Sequence, residues 1–384
     1  MTLARISPAL QTAALRREHR YLATLEALVR FESPTHDKAL VDLLMTHLEA
    51  TLVGHAWETE RLPREAVGDV VVARKGWDEE AAGPRTLLLA HADTVWPQGT
   101  LAETPFRREG DRVYGPGILD MKAGIATATE AVCLLEESGV ALRGPVTLLI
   151  TSDEEIGSPH SRELIETLAR EHDRVFVLEP GRDDGALKVG RKGVGDFFLT
   201  FVGKSAHAGN HPELGASALR ELAHFLLFVE ALADPEADTS VNLTVAQGGT
   251  AANVIAERAR ATVDFRVLRL GEAERVIQAV EGYRPADARV QVIVEGGLNR
   301  PPMEPTAANL ALFEEAKSYA SGFGVALEGA VVGGASDGNF TSAMGLPTLD
   351  GLGAVGGGPH ARHEHIRVRE TLERVALLAA LLAA

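Results

Sequence analysis

An apolar segment in the first half of this chain is closely followed by three adjacent acids. Residues 146–150 are all apolar or β-branched, and Asp153, Glu154 and Glu155 follow shortly after them. A run of this length and composition predicts a strand that is buried in a parallel sheet. Neighbouring carboxylates repel one another and are costly beside a core unless a proton or a cation shares them. We therefore expect one acid to hold a metal ion while its neighbour acts as a base; a solvated loop is the alternative.

Two other apolar segments also end in residues of types that bind metal ions. Residues 86–90 lead directly into His91 and Asp93, and residues 175–178 lead into Glu179. Ligands of open α/β sheets bind at the carboxyl ends of the strands, so we expect these side chains to lie together. Asp93 is placed to hold the second ring nitrogen of His91. A single His-x-Asp segment favours a structural histidine. Residues of metal-binding type at the ends of several strands favour a metal site instead.

Two segments outside the strands supply further candidates. A turn rich in glycine and proline at residues 114–119 places Asp120 before a predicted helix, where helix capping is the alternative role. Near the C-terminus, His360, His363 and His365 lie in one short segment, and their spacing alone selects none of them. A dinucleotide-binding motif at residues 351–356 is rejected, because Gly-Gly-Pro follows it where a helix should begin. This counts against a nucleotide-dependent oxidoreductase.

The composition excludes some classes of partner. The chain carries a formal charge of −16, which argues against binding to nucleic acid or to an anionic membrane surface. It has no apolar run of about 18 residues and no apolar signal region near its start, so we expect a cytoplasmic protein without a membrane span. Cys133 is the only cysteine, which excludes an internal disulfide.

The length of 384 residues exceeds one ordinary core and predicts two domains. Residues 191–304 have the predicted order β-α-β-β-α-β of a ferredoxin-like unit, and their strands do not end in acids. We therefore expect an inserted domain there, with residues 1–190 and 305–384 forming one metal-binding α/β domain. Within that larger domain, Thr35 is predicted to be the N-cap of a helix.

The motifs of this chain, taken in order, resemble those of the co-catalytic di-zinc peptidase family of glutamate carboxypeptidase, acetylornithine deacetylase, succinyl-diaminopimelate desuccinylase and aminoacylase. The resemblance covers nearly the whole chain. It implies a zinc-peptidase-like catalytic domain, with a mixed, largely parallel sheet flanked by helices, and an inserted ferredoxin-like α+β domain for dimerisation or as a lid. The matching segments are residues 91–93, 117–124, 153–157, 179–180 and 203–209, followed by His360 and by Glu364, which fits the glutamate that usually follows the last ligand histidine of the family.

The resemblance also implies a role for each matching residue. Two Zn²⁺ ions per chain are expected, for which Co²⁺ or Mn²⁺ can substitute, with Glu154 as the general base and Asp93 orienting His91. His207 and Asn253 match residues that stabilise the tetrahedral intermediate, and Arg266 matches the residue that binds the carboxylate of the substrate. The expected ligands are His91 and Glu179 for one ion, Glu155 and His360 for the other, and Asp120 as the bridge, with His363 and His365 as alternatives to His360.

The implied function is hydrolysis of an amide bond next to an amino acid with a free carboxylate. Glutamate at position 179, where some branches of the family carry aspartate, favours the glutamate carboxypeptidase branch. An N-acyl-amino-acid deacylase of the acetylornithine deacetylase or aminoacylase type is the alternative within the family. A non-catalytic metal-binding scaffold on the same fold is the alternative of another class. The expected partners are a short peptide or N-acyl amino acid as substrate and a second copy of the chain, bound through the inserted domain.

Overall fold

The computed structural model describes residues 3–77 and 82–383, and the chain divides into two compact units. The first unit runs to Val189 and continues through Pro305–Val331 and from Ser336 onward. The second unit comprises Gly190–Glu304 with the short segment Val332–Ala335. The first unit contains the strand ends that were predicted to bind metal.

The helices of the described residues are numbered in chain order. They are α1 Leu3–Leu15, α2 Glu18–Val29, α3 Lys38–Gly54, α4 Thr100–Glu103, α5 Ala123–Glu137, α6 Arg162–Ala169, α7 Ala218–Glu230, α8 Leu270–Glu281, α9 Ala307–Gly322, α10 Gly338–Ala343 and α11 Val368–Leu382.

The strands are numbered in the same way. They are β1 Glu58–Leu62, β2 Val70–Lys75, β3 Thr86–His91, β4 Arg107–Glu109, β5 Arg112–Tyr114, β6 Val146–Thr151, β7 Arg174–Val177, β8 Leu187–Arg191, β9 Gly193–Val202, β10 Ser240–Gly248, β11 Arg258–Val267, β12 Gln291–Arg300, β13 Gly329–Val332, β14 Thr348–Leu349, β15 Gly356–Gly357 and β16 His365–Arg367.

A six-stranded sheet in the order β1-β2-β6-β3-β7-β14 forms the centre of the first unit. Strands β6, β3, β7 and β14 run parallel to one another, whereas β2 is antiparallel to both of its neighbours, β1 and β6. Both faces of the sheet are covered, because alternate residues of β3 enter different cores. Leu88 belongs to the core that also contains residues of α1, α2, α3, α5, α9 and α11, whereas Leu87 and Leu89 belong to the core that contains residues of α6 and α10. The result is the predicted mixed, largely parallel sheet flanked by helices.

A smaller sheet beside the central one has the order β15-β16-β5-β4. Strand β16 pairs antiparallel with both β15 and β5, and His365 lies opposite Tyr114. The turn that carries Asp120 leaves β5, and the turn that carries His360 joins β15 to β16. This sheet therefore brings two distant parts of the chain together.

The second unit is a four-stranded antiparallel sheet in the order β10-β11-β9-β12 with α7 and α8 on one face. This is the strand order of a ferredoxin-like unit. Phe197, Phe201 and Phe265 alternate inward along its central strands and are buried against the helices. Among the described residues of the chain, no helix has both the length and the hydropathy needed to cross a membrane.

One local prediction is wrong. Thr35 does not cap a helix; α3 begins at Lys38, and Asp37 Oδ1 accepts the capping hydrogen bond from Leu40 N at 3.1 Å. The hydroxyl of Thr35 instead donates to Asp93 Oδ2 at 2.8 Å. A long-range acceptor therefore replaces the local capping interaction.

Candidate metal centre

The candidate ligands lie together because their strands are neighbours. Strand β3 lies between β6 and β7, and all three run parallel. His91 is the last residue of β3, and its strand partner on β6 is Thr151, just before the Glu154–Ile156 turn. Glu179 follows β7 on the other side. The parallel register therefore places side chains from three strand ends at one edge of the sheet.

His91, Asp120 and Glu179 form the first group of candidate ligands. His91 Nε2 lies 3.3 Å from Asp120 Oδ1 and 3.3 Å from Glu179 Oε1. His91 is 2% exposed and Glu179 is 7% exposed. One imidazole nitrogen and two carboxylate oxygens thus converge in a nearly dry setting.

Asp120, Glu155 and His360 form the second group. His360 Nε2 lies 3.3 Å from Asp120 Oδ2 and 3.3 Å from Glu155 Oε2. His360 has a φ of +60°, in the left-handed region that histidine tolerates better than most residues. The two oxygens of Asp120 therefore face different histidines, which is the arrangement expected of a bridging carboxylate.

The two rival histidines lie elsewhere. His365 is on β16, where its ring lies 5.3 Å from that of Tyr114 and its Nδ1 lies 2.9 Å from the main-chain oxygen of His363. His363 is exposed on the turn before that strand. Within the described residues, neither belongs to a group of metal-binding type.

The donor atoms of both groups fit a bound cation. In the described part of the chain, His91 Nε2, Asp120 Oδ1 and Glu155 Oε1 are buried without a hydrogen-bond partner. Buried polar atoms of native proteins are nearly always satisfied, so three such atoms at one place fit a bound cation. Imidazole nitrogen and carboxylate oxygen are both ligands that Zn²⁺ takes.

The electrostatics also show that the site requires positive charge. Burial lowers the pKa of His91, but the carboxylates of Asp120, Asp93 and Glu179 outweigh burial and raise it well above its usual range. Hydrogen bonds to Asp120 and Glu155 raise the pKa of His360 to about 10. Without a metal, protonated imidazoles supply the charge that a divalent cation would otherwise bring.

Glu154 lies beside these groups. It is 8% exposed, and its Oε2 lies 4.0 Å from His91 Nε2. Its main-chain N–H donates to Asp93 Oδ1 at 3.3 Å, and that of Glu155 donates to Asp93 Oδ2 at 3.2 Å. Two adjacent glutamates of one turn are therefore aimed differently: Glu155 faces His360, and Glu154 lies within reach of the first group.

Asp93 is fully buried under this arrangement. Burial raises its pKa, but hydrogen bonding and charge from His91 outweigh burial and lower it, so the carboxylate is ionised. Nδ1 of His91 lies 3.0 Å from the main-chain oxygen of Asp93 and 3.4 Å from its Oδ1. This contact orients Nε2 of His91 toward Asp120 and Glu179.

Glu364, the glutamate that follows His360 in the family pattern, contributes a second buried carboxylate. It accepts hydrogen bonds from the main-chain nitrogens of Gly117, Leu119 and Asp120 and from Trp96 Nε1. Burial raises its pKa to about 7, although these hydrogen bonds oppose the rise. The only signal in the sequence was a glutamate four residues after His360, and nothing there indicates what it contacts.

The remaining predicted residues lie in the second unit. His207 and Asn253 are neighbours there, since Ala208 N donates to Asn253 O at 2.9 Å and His207 forms an isolated antiparallel β-bridge with Val254. Nδ1 of His207 accepts from Gly209 N and Asn210 N, each at 3.0 Å. These contacts occupy Nδ1 and leave Nε2 as the ring nitrogen that can donate, and His207 is exposed.

Arg266 lies on β11 and is already paired within the second unit. Its Nε and Nη2 donate to the carboxylate of Asp264 at 2.9–3.2 Å. Its Nη1 makes only a long contact of 3.5 Å with the main-chain oxygen of Gly333. One edge of the guanidinium is therefore oriented by Asp264.

An α/β domain with paired histidine–carboxylate groups at its strand ends, joined to a ferredoxin-like unit, defines a class of metal-dependent hydrolases. The sequence profile of the peptidase family M20/M25/M40 matches residues 87–384. The chain belongs to this family.

Curated relatives cover nearly the full chain. Carboxypeptidase G2 of Pseudomonas sp. (strain RS-16) is 33% identical over 380 residues, which span 96% of this chain and 90% of the relative. Succinyl-diaminopimelate desuccinylase of Methylobacterium sp. (strain 4-46) is 29% identical, spanning 93% of each chain. The predicted family and a metal-dependent amide-hydrolysing activity are thereby confirmed.

Solved structures share the fold at lower identity. Aminopeptidase PepT of Bacillus cereus superposes with a TM-score of 0.79 at 21% identity, covering 95% of this chain and 98% of that one. An M20 family metallo-carboxypeptidase of Sulfolobus solfataricus superposes with a TM-score of 0.73 at 18% identity, covering 94% and 98%. The predicted fold class, a catalytic α/β domain with an inserted α+β domain, is confirmed.

Proposed function

We propose that this chain is a di-zinc carboxypeptidase that releases an amino acid with a free carboxylate from a short peptide or an N-acyl amino acid. The observation that carries the proposal is the position of Asp120, whose Oδ1 and Oδ2 each lie 3.3 Å from a different histidine. A carboxylate shared by two histidine–carboxylate groups suits two cations rather than one.

The residues of this chain would divide the work as follows. His91 and Glu179 would hold one cation, Glu155 and His360 the other, and Asp120 would bridge them. When bound, the cations would polarise the scissile carbonyl and lower the pKa of a water molecule. Co²⁺ or Mn²⁺ would serve in place of Zn²⁺ because the same ligand types suit them.

Glu154 would then act as the general base. Its Oε2 lies 4.0 Å from His91 Nε2, beside the metal-binding atoms, and this position would let it accept a proton from water. It would pass this proton to the leaving nitrogen, as a positioned carboxylate can. A non-catalytic scaffold would not need a carboxylate at this place, and this disfavours that alternative.

The substrate side of the proposal rests on the second unit. Arg266 would bind the free carboxylate through its Nη1 side, because a guanidinium suits planar oxyanions. His207 would donate a hydrogen bond from Nε2 to the tetrahedral intermediate, and Asn253 lies beside it. The relatives include a carboxypeptidase and a desuccinylase, which supports both a peptide and an N-acyl amino acid as substrate. The deacylase activity is therefore the second candidate.

We further propose a homodimer formed through residues 191–304, the inserted domain. Its sheet ends in two edge strands, β10 and β12, and Val245 on β10 is 48% exposed. Unpaired strand edges favour pairing with a second copy in a symmetric dimer. The cytoplasmic location expected from the sequence stays a prediction.

Metal analysis and a substrate panel test the proposed function together. Protein purified without chelator should contain close to two metal ions per chain, and chelation should abolish activity that added Zn²⁺ restores. The panel should include dipeptides, N-acetyl and N-succinyl amino acids, and the C-terminally amidated form of each peptide. Release of free amino acid only from substrates with a free carboxylate supports the proposal. A metal content near zero with full activity would exclude it.

A further inference from the structure

The buried carboxylate of Glu364 is bound by four N–H groups from two separate segments. Its Oε2 accepts from Trp96 Nε1 at 2.8 Å and from Gly117 N at 2.9 Å. Its Oε1 accepts from Leu119 N at 2.8 Å and from Asp120 N at 3.0 Å. Glu364 is 2% exposed, so these contacts replace water almost completely.

Three of these donors belong to the turn that ends in Asp120. This turn is irregular: Gly117 has a φ of +65°, and Asp120 itself has non-helical angles. A Cβ on Gly117 would lie 2.5 Å from Thr94 Cγ2, so the turn fits tightly against its surroundings. An irregular turn lacks the repeating hydrogen bonds of a helix or sheet. Glu364 supplies the acceptors for its main chain instead.

Glu364 also belongs to the segment that carries His360. Glu364 N donates to Ala361 O at 2.8 Å, which closes the turn after His360. The next residue, His365, begins β16 and pairs with Tyr114 on β5, the strand from which the Asp120 turn leaves. One side chain therefore connects the main chain around one candidate ligand to the main chain around another.

We propose that Glu364 is a positioning residue that sets the placement of Asp120 relative to His360 and thereby the metal affinity of the group Asp120, Glu155 and His360. It touches no metal-binding atom itself and acts through the backbone. The inference rests on the proposed function, because it requires that these three residues bind a cation.

A carboxylate is needed at this position, and an amide of the same size does not replace it. The four donors require acceptors on both oxygens, whereas glutamine has one oxygen and one NH₂ group. In Glu364→Gln, the NH₂ group would face two N–H donors, whichever way the amide is turned. The turn would shift although the volume of the side chain is unchanged.

The test is zinc titration of chelator-stripped protein in competition with a chromophoric chelator. Glu364→Gln should bind the weaker of its two zinc ions about 10–100-fold less tightly than the wild type, the usual effect of losing a residue that supports a ligand. The absorption spectrum of the Co²⁺-loaded variant should also change, since it reports the geometry of the ligands. Both readouts are independent of turnover.

Glu221→Gln is the matched control. Glu221 is 1% exposed and accepts from Tyr283 Oη at 2.6 Å, from Ala286 N at 2.9 Å and from Asp287 N at 3.2 Å, all within the second unit. The same substitution there removes the same kind of buried acceptor. Its zinc affinity should stay within about twofold of the wild type, even if its thermal stability falls as far as that of Glu364→Gln.

Trp96→Phe keeps the test decisive if Glu364→Gln fails to fold. This variant removes one donor and leaves the three main-chain donors in place, so a smaller loss of zinc affinity in the same direction is expected. A folded Glu364→Gln protein with wild-type zinc affinity and an unchanged Co²⁺ spectrum would overturn the inference, as would an unchanged Trp96→Phe protein beside an unfolded Glu364→Gln. A wild type that binds no zinc would instead overturn the proposed function.

Discussion

The Oδ2 atom of Asp93 accepts a hydrogen bond from the main-chain nitrogen of Glu155 at 3.2 Å. Its Oδ1 accepts from the nitrogen of Glu154 at 3.3 Å and lies 3.4 Å from His91 Nδ1. One buried carboxylate therefore holds the first candidate ligand, a ligand of the second group and the proposed base. We therefore expect the metal affinity to depend on Asp93 as well as on the candidate ligands.

Asp93→Asn should lower both zinc affinity and kcat/KM by about 10–100-fold. The reason is that the NH₂ group of asparagine would face N–H or O–H donors that bind a carboxylate oxygen in the wild type. Thr35→Val is a graded comparison: it removes one donor to Asp93 Oδ2 but leaves the carboxylate. Its effect should be smaller and in the same direction. Zinc titration and steady-state kinetics on both variants check this, and an Asp93→Asn enzyme with wild-type values would contradict it.

Glu154→Gln and Glu155→Gln should separate catalysis from metal binding. Glu154→Gln should keep both metal ions and lose about 10²–10⁴-fold in kcat, the contribution of a general base. Glu155→Gln should lose metal as well as activity, because Glu155 Oε2 faces His360. Elemental analysis alongside turnover distinguishes them. A fully active Glu154→Gln enzyme would revive the scaffold alternative.

Arg266→Lys should lower kcat/KM about tenfold to a hundredfold on free-acid substrates, since a lysine cannot replace the planar guanidinium. It should change rates on amidated peptides little, because those substrates lack the carboxylate. The comparison is the ratio of kcat/KM for free-acid and amidated forms in wild type and variant. Equal rates of the wild type on both forms would show that Arg266 does not read a terminal carboxylate.

Mixing His207→Ala chains with Glu154→Gln chains should restore activity if the active site is shared between two chains. Each variant alone should be about 10²–10³-fold slower or worse, as expected for the loss of an oxyanion donor or a base. In each heterodimer one site would regain both groups, so random exchange should return about a quarter of the wild-type rate. Subunit exchange shown by labelled chains without recovery of activity would exclude a shared site.

Asp69→Asn should lower the free energy of unfolding by about 1–2 kcal/mol at pH 7, because Asp69 accepts from Lys38 Nζ at 2.6 Å and from Arg61 Nε at 2.9 Å. Burial raises its pKa, but hydrogen bonds from Lys38, Arg64 and Arg61 lower it below its usual value. A lowered native pKa means that this stability is present above the unfolded pKa, near 4, and is lost as the pH falls through the native pKa.

Urea denaturation at pH 7 and at about pH 3 measures this difference, which should shrink at the lower pH. Glu60→Gln is the control, since Glu60 pairs with Arg74 at 3.2 Å while 54% exposed and should contribute little at either pH. A difference between wild type and Asp69→Asn that grows on acidification would contradict the assignment.

Short-range patterns were sufficient to find the strand-end candidates. His91, Glu155 and Glu179 each follow a buried apolar run. Such a run predicts a buried strand, and the residues that follow it lie at the carboxyl end of that strand. The order of elements in residues 191–304 likewise indicated a ferredoxin-like unit, because each helix and strand there has its own hydrophobic period.

Long-range contacts were out of reach of such patterns. Thr35 has the sequence context of a helix cap, but Asp93, far away in the chain, competes for its hydroxyl. Nothing near Glu364 indicates that its carboxylate binds the turn before Asp120. The three histidines near the C-terminus are chemically identical. The β15–β16 turn distinguishes them, because it places His360 beside Asp120 and Glu155.

The amino-acid sequence therefore predicts which residue types stand at the ends of the buried strands, and that these carboxylates and imidazoles suit a cation. The folded chain shows which of these residues lie within 4.8 Å of one another and which carboxylates hold them in place. The reason is that burial and local hydrogen bonding follow a short repeat along the chain. Coordination instead depends on angstrom-scale distances between segments that only the completed fold brings together.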